Sequence, residues 1–308
     1  MDGADSAILV VDDDVEIREL ISDYLADHEG YKVITAENGR NALELLEQKK
    51  IDLVLSDINM PGMKGFDLLK EIKEKYPKIK RVLITAYNVE DYLELAMKHD
   101  IGNIFVKTTP FNFQELSAIL SRLLRNDIFG LQNYFSGTTE LVLYKIHDSK
   151  TLEKDAEKIV KIIGDTDRSK RLELVIVEIL TNAIFYGVKN ESGNEKERWN
   201  ANVTLPDDRA IIVSVAKDAE KYAISVTDDG GRLKKSDVLY WLNRQISRDD
   251  RGLPLGVFDT HGRGLFIARK YIDRMIINID QDRRTEVIII NYFKDTYKGY
   301  KPLYINEI

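Results

Sequence analysis

The sequence predicts an α/β chain of two domains: a doubly wound parallel sheet over residues 1–125, then an α/β two-layer sandwich over residues 138–293. Three observations carry this prediction. Short apolar runs alternate with helical patterns in the first half; in the second half that alternation gives way to two helices and two hairpins; and 308 residues exceed the usual size of one domain.

In the first half the apolar runs Ala7–Val11, Leu53–Ser56, Val82–Ile84 and Ile104–Val106 read as strands. Helical patterns fall at about 15–27, Arg40–Gln48, Gly65–Lys75, Glu90–Lys98 and Asn112–Arg125. Strict alternation implies parallel strands with helices on both faces. Each run stops at a polar residue of a particular kind. Ala7–Val11 runs into Asp12, Asp13 and Asp14; the others end at Asp57, Thr85 and Lys107. In a doubly wound sheet the carboxyl ends of the strands share one edge, where ligands bind. Acids, a hydroxyl and an ammonium are therefore expected in one place. Clustered carboxylates suit a hard cation such as Mg²⁺, which accepts phosphate oxygens, and one carboxylate can attack phosphorus while the cation and a lysine neutralise the developing charge. Taken singly, the Asp run is equally a helix N-cap, and Lys107 a solvated surface charge. Their joint occurrence at successive strand ends favours the shared site.

Residues 126–137 read as a linker, with Gly130 and Gly137 among polar residues. Beyond it, a strand at Leu141–Ile146 precedes helices near Thr151–Ile163 and Ser169–Tyr186, the second closed by Gly187 as a C-cap. The hairpins are Ala210–Ala216 with Tyr222–Thr227, and Arg274–Ile279 with Glu286–Phe293. The polar stretch Lys189–Arg198 reads as an exposed loop, and residues 294–308 form a tail.

The helix through Leu172–Tyr186 is apolar nearly all round, yet Glu178 and Asn182 share one face at i, i+4 spacing. A buried carboxylate without a partner is costly, so the pair implies either a site or a face open to solvent. Two further segments favour a site. Ser225–Gly231 ends a strand in Asp228 and glycines, and Thr260–Arg269 opens a helix after Gly262 and Gly264, where backbone N–H groups and the helix dipole attract an anion.

Composition narrows the function classes. A net charge of -7 and a pI near 5.4 argue against a dedicated DNA-binding half, so no DNA partner is expected. Cysteine is absent, which excludes disulfides and thiolate metal sites. No apolar run approaches membrane-spanning length and no signal-like segment opens the chain, so no membrane partner and a cytoplasmic location are expected.

Residues 1–125 resemble the receiver domain of two-component response regulators, on the strand-end set and on the segment Ser56–Gly65 (Ser-Asp-Ile-Asn-Met-Pro-Gly-Met-Lys-Gly). The resemblance implies that Asp57 accepts a phosphoryl group from an upstream histidine kinase, Asp12 and Asp13 hold Mg²⁺ with Asp57, Thr85 is the switch hydroxyl and Lys107 contacts the phosphate. Two departures stand out: Thr108 and Thr109 intervene between Lys107 and Pro110, and Ile104 occupies the position often held by an aromatic, with Phe105 beside it.

The order Glu178-x-x-x-Asn182, Asp228-x-Gly230, Gly262-x-Gly264 resembles the Bergerat-type ATP-binding domain shared by histidine kinases, gyrase, Hsp90 and MutL, and within it the anti-sigma-factor serine kinase branch. The resemblance implies that Asn182 holds the Mg²⁺ of ATP, Glu178 positions or deprotonates the nucleophile, Asp228 accepts from the adenine amino group, Gly230 passes under the base, and Gly262 and Gly264 flank the phosphates beneath a lid at Ser236–Thr260. Arg232 replaces a glycine of the family motif. The implied output is a serine/threonine kinase acting on an anti-sigma antagonist, or a module releasing a sigma factor, with a possible homodimer. The competing output is a partner-binding module without catalysis, which Arg232 favours. Self-phosphorylation on histidine is disfavoured, because only His28, His99, His147 and His261 are available and 126–140 is too short for a helical hairpin.

Overall fold

A computed structural model describes residues 6–135, 139–164, 168–188, 202–259 and 262–308. Gly137, Lys189–Arg198, Thr260 and His261 lie outside the described residues. The chain forms two compact units, Met1–Ile128 with Tyr297–Tyr304, and Phe129–Thr296 with Ile305–Ile308.

In the first unit five strands, β1 (Ala7–Val11), β2 (Lys32–Ala36), β3 (Leu53–Asp57), β4 (Lys80–Thr85) and β5 (Asn103–Val106), lie parallel in the order β2-β1-β3-β4-β5. Five helices alternate with them: α1 (Val15–Asp27), α2 (Gly39–Gln48), α3 (Gly65–Lys75), α4 (Leu93–His99) and α5 (Phe113–Arg125). β1 and β3 are buried along their whole length, as a central strand covered on both faces requires. Helix starts follow their capping residues: Asp14 accepts from the N–H groups of Glu16 and Ile17, Asn38 from Asn41, and Asn112 from Glu115. The expected helix at Glu90–Lys98 divides into a 3₁₀ turn, Val89–Tyr92, and α4.

The register aligns the strand ends. Val11 lies beside Ser56, Asp57 beside Ile84, and Thr85 beside Val106. Asp12, Asp57, Thr85 and Lys107 thus share the carboxyl edge of one sheet.

A sixth strand on this unit has no local sequence signal. Residues of the last strand, β11 (Leu303–Glu307), pair antiparallel with β5, Leu303 opposite Ile104 and Tyr304 opposite Asn103. Thr109 and Lys298 exchange backbone hydrogen bonds at 2.8 and 3.0 Å, and the Tyr304 hydroxyl donates to Glu115 Oε1 at 2.7 Å. Residues Tyr297–Tyr304 of the tail therefore belong to this unit. Because the Tyr304 side chain is buried and its hydroxyl bonds a carboxylate, Tyr304→Phe is expected to destabilise the protein by about 1–3 kcal/mol. Urea unfolding of the two proteins checks it; identical midpoints and slopes would remove the tail's assigned role.

The second unit is a five-stranded antiparallel sheet, β6 (Glu140–Ile146), β7 (Ile211–Lys217), β8 (Lys221–Asp228), β9 (Arg274–Asp280) and β10 (Arg284–Tyr292), in the order β6-β7-β8-β10-β9. Its helices are α6 (Leu152–Ile163), α7 (Ser169–Asn182), α8 (Lys235–Ile246) and α9 (Gly264–Tyr271). α7 packs on α6 and α9. β8, β9 and β10 are buried nearly throughout, consistent with a sheet covered on more than one side.

Gly187 does not cap the second helix as expected. α7 ends at Asn182 and passes into a wide π turn, Ala183–Val188, because Gly187 is pressed against the end of β8 instead. The connector also differs from a free linker. Phe129 onward belongs to this unit: Gly130 N donates to both oxygens of the buried Glu286 carboxylate, at 3.2 and 3.0 Å, and Arg284 lies 3.7 Å over the Phe129 ring. Glu286 further accepts from Ser225 Oγ at 2.8 Å and Asn278 Nδ2 at 3.0 Å, which satisfies a carboxylate otherwise costly to bury.

Candidate functional site

Two sets of residues converge, one in each unit. In the first, Lys107 stands between two carboxylates, its Nζ 2.8 Å from Asp12 Oδ2 and 2.6 Å from Asp57 Oδ1. Asp12 is 1% exposed and Asp57 7%. Burial pushes the Asp12 carboxyl above its usual range despite the lysine, with Asp57 adding to the rise. Burial alone would depress the Lys107 ammonium, but Asp57 and Asp12 together hold it above its usual value. The second oxygen of Asp57 accepts the Asn59 backbone N–H at 2.6 Å. Asp57 is thus oriented from both sides while remaining at a strand end.

The backbone beneath Asp57 is closed by a glycine. A side chain at Gly65 would run into the Asp57 carbonyl oxygen, so only glycine lets α3 start this close to β3. Thr85 is buried at the end of β4; its Oγ1 accepts from Tyr87 N at 3.1 Å, and its carbonyl accepts from Lys107 N at 2.8 Å.

Asp13 is placed differently from its neighbours. It is exposed, and among the described residues no three acidic or histidine side chains stand close enough to form a metal site. Two buried carboxylates within reach of one ammonium still fit a Mg²⁺, which commonly takes one or two carboxylates and completes its shell with water. Ile104 and Phe105 are both buried, and Phe105 packs against Phe111 with centroids 5.4 Å apart, so its ring is engaged inside the unit.

Sequence reasoning missed three neighbours of this site. Asn59 Nδ2 donates to the Tyr92 hydroxyl at 2.7 Å, and Arg18 donates to the Asp12 carbonyl. Asn59 had a signal, two residues beyond Asp57; Tyr92 had none.

In the second unit, Glu178 and Asn182 lie on the face of α7 that meets the start of α9. A Cβ at Gly264 would stand 2.5 Å from Glu178 Oε2 and 3.6 Å from Asn182 Nδ2. Asp228 closes β8, 5% exposed, its Oδ1 accepting from Gly230 N at 3.0 Å and Gly231 N at 3.3 Å. A Cβ at Gly187 would lie 2.5 Å from the Asp228 Cγ, and one at Gly230 would strike the Gly187 carbonyl. The π turn following Asn182 thereby seats the end of α7 on the end of β8. Burial raises the Asp228 carboxyl from 3.8 to about 7, with Asp229 contributing, against the lowering from Gly230 and Gly231.

Gly262, at φ +76, faces the Trp241 ring of α8. The Arg232 guanidinium donates to Asp282 Oδ1 at 2.8 Å, which ties it to the β9–β10 turn. The expected lid contains α8, and its two sides are joined by Arg244, which donates to both Asp259 oxygens at 2.5 and 2.9 Å.

Known proteins decide what the first set is. The family model described as the response regulator receiver domain matches residues 8–121. Residues 8–121 are a receiver domain. The chain thus carries a response regulator receiver domain over its first part. It is 40% identical over 124 residues to the transcriptional regulatory protein ZraR of Klebsiella oxytoca, covering 40% of this chain and 27% of the relative. It is 36% identical over 296 residues to the response regulator protein FleR of Pseudomonas aeruginosa, covering 94% and 60%. It is 38% identical over 117 residues to the DNA-binding transcriptional regulator NtrC of Escherichia coli, covering 38% and 24%. The chain spans less than two thirds of the length of each of these relatives. They overturn the expectation that DNA is no partner: receivers so similar to this one occur in proteins named as transcriptional regulators, NtrC as a DNA-binding one, and an acidic net charge does not exclude that. Among the described residues no helix is long and apolar enough to cross a membrane.

Proposed function

We propose that Asp57 is the phospho-acceptor and that the second unit is an ATP-binding, histidine kinase-like output domain of the anti-sigma-factor serine kinase type. In the loading step an Asp57 carboxylate oxygen attacks phosphorus, the new P–O bond forms as the bond to the donor's leaving atom breaks, and the donor departs with its electron pair. Lys107, already 2.6 Å from Asp57, neutralises charge on the incoming group, and Asn59 N–H fixes the other oxygen. Mg²⁺ held by Asp12 and Asp57, with Asp13 at the rim, would supply further charge neutralisation.

The observation that carries the output reading is the grouping of Glu178 and Asn182 against Gly264 on elements adjoining Asp228, Gly187 and Gly230. A buried acid at a strand end, with a glycine wall on either side, suits recognition of an exocyclic amine on a flat base. An antiparallel sheet also argues against a P-loop nucleotide site, which uses a parallel strand, a Gly-x₄-Gly-Lys-Ser/Thr loop and a helix; that motif is absent from the sequence. Asn182 would hold the Mg²⁺ that accompanies ATP. Glu178 would take the proton from an attacking serine or threonine hydroxyl as its oxygen bonds to the γ-phosphorus and ADP leaves.

Gly264→Val tests this reading, because it places methyl groups against Glu178 and Asn182. ATP affinity is expected to fall by about 10-fold or more, and fluorescence titration with an ATP analogue checks it. Equal affinity in the variant contradicts the reading. A second reading, a DNA-directed output, is favoured by the relatives' names, and DNA retardation that depends on Asp57 phosphorylation and is indifferent to ATP would support it.

A further inference from the structure

We infer that Tyr92 is a positioning residue that sets how long the phosphoryl group remains on Asp57, acting through Asn59; this rests on Asp57 being the acceptor. Asn59 serves the acceptor twice. Its backbone N–H holds Asp57 Oδ2 at 2.6 Å, and its exposed side chain stands at the mouth of the site, two residues from the reacting carboxylate. That side chain is not free to turn inward, because Nδ2 donates to the Tyr92 hydroxyl at 2.7 Å. Tyr92 is held in turn by its ring, which stacks on the buried Phe66 of α3 with centroids 6.0 Å apart.

Loss of the phosphoryl group is hydrolysis. A water oxygen bonds to phosphorus, the bond to the Asp57 oxygen breaks, the carboxylate leaves with the electron pair, and the water proton goes to the released phosphate. Charge shifts onto the phosphoryl and carboxylate oxygens as that bond breaks, so an amide N–H aimed at them would accelerate the step. By engaging Nδ2, Tyr92 withholds this donor. The hydrogen bond joins residues 33 positions apart and is exposed, whereas the site's Lys107 and Asn59 N–H contacts to the carboxylates are part-buried.

The test is a double-mutant cycle on the full chain, loaded with acetyl phosphate and Mg²⁺, with decay followed by intact mass. Tyr92→Phe is expected to shorten the phosphoryl lifetime by about 3-fold or more, leave the loading rate and the melting temperature close to wild type, and have no effect when Asn59 is alanine. An unchanged or longer lifetime in Tyr92→Phe, or an equal shortening in both backgrounds, overturns the inference. Failure of the acceptor reading is distinct: it shows as a label that survives in Asp57→Asn.

Discussion

Asp57→Asn is expected to abolish labelling by acetyl phosphate while leaving the chain folded. An amide is not a nucleophile toward phosphorus, so loading should fall by about 100-fold or more, to the limit of detection. The variant keeps the shape of the side chain, and its Oδ1 can still accept from the Asn59 N–H or from Lys107. Lys107 also retains Asp12 at 2.8 Å, so the partly buried ammonium is not left alone. Intact mass before and after incubation reads the result directly. A phosphorylated Asp57→Asn protein would place the acceptor elsewhere and dissolve the role given to the Lys107 bridge.

Asp228→Asn is expected to have opposite effects on stability and on nucleotide binding. Burial raises the Asp228 carboxyl from 3.8 to about 7. A carboxyl whose folded value lies above its unfolded one contributes stability that is fully present below pH 3.8 and is lost as pH rises through about 7. At pH 8 the ionised group therefore opposes folding, by at most about 4 kcal/mol from the size of the shift. Asparagine carries no charge and its Oδ1 can still accept from Gly230 N, so the variant should melt higher at pH 8 and near wild type at pH 4. ATP affinity should fall by about 10-fold or more, because a carboxylate accepts from an amine with both oxygens and an amide with one. The same reasoning gives wild-type affinity a pH dependence: ATP binding weakens as pH drops below about 7, where Asp228 takes up its proton. A variant that loses stability at pH 8 and keeps its nucleotide would contradict both halves.

Local patterns are enough to read four of the five parallel strands of the receiver sheet; β2, partly exposed, offers no uninterrupted apolar run. Val10 and Leu55 sit in uninterrupted apolar runs because both faces of their strands are covered, and the polar residue that ends each run marks the sheet edge. The same pattern groups Asp12, Asp57, Thr85 and Lys107 at that edge from the amino-acid order alone. It does not separate Asp13 from Asp12, since one step along the chain turns the side chain from the buried edge to solvent.

What the sequence conceals is mostly non-local. Leu303 and Tyr304 look like any short apolar stretch, and their pairing with Ile104 and Asn103 depends on a chain return across some 200 residues. Asn59 and Tyr92 have no shared spacing rule. Gly187 has the local form of a helix C-cap, yet it is required as a wall against Asp228, a contact set by β8. The output class is least legible of all. The receiver's chemistry is common to regulators with many outputs, so net charge and a missing basic helix carry little weight, and the relatives named as transcriptional regulators correct the expectation drawn from them.

One measurement bears most directly on a receiver fused to a nucleotide-binding output: calorimetric titration of the full chain with ATP and Mg²⁺ at pH 8, with GTP as the control. One ATP site per chain is expected, with GTP weaker by about 10-fold or more because its oxygen faces Asp228 where adenine presents an amine. No heat with ATP, or equal affinity for the two nucleotides, would contradict that fusion of functions.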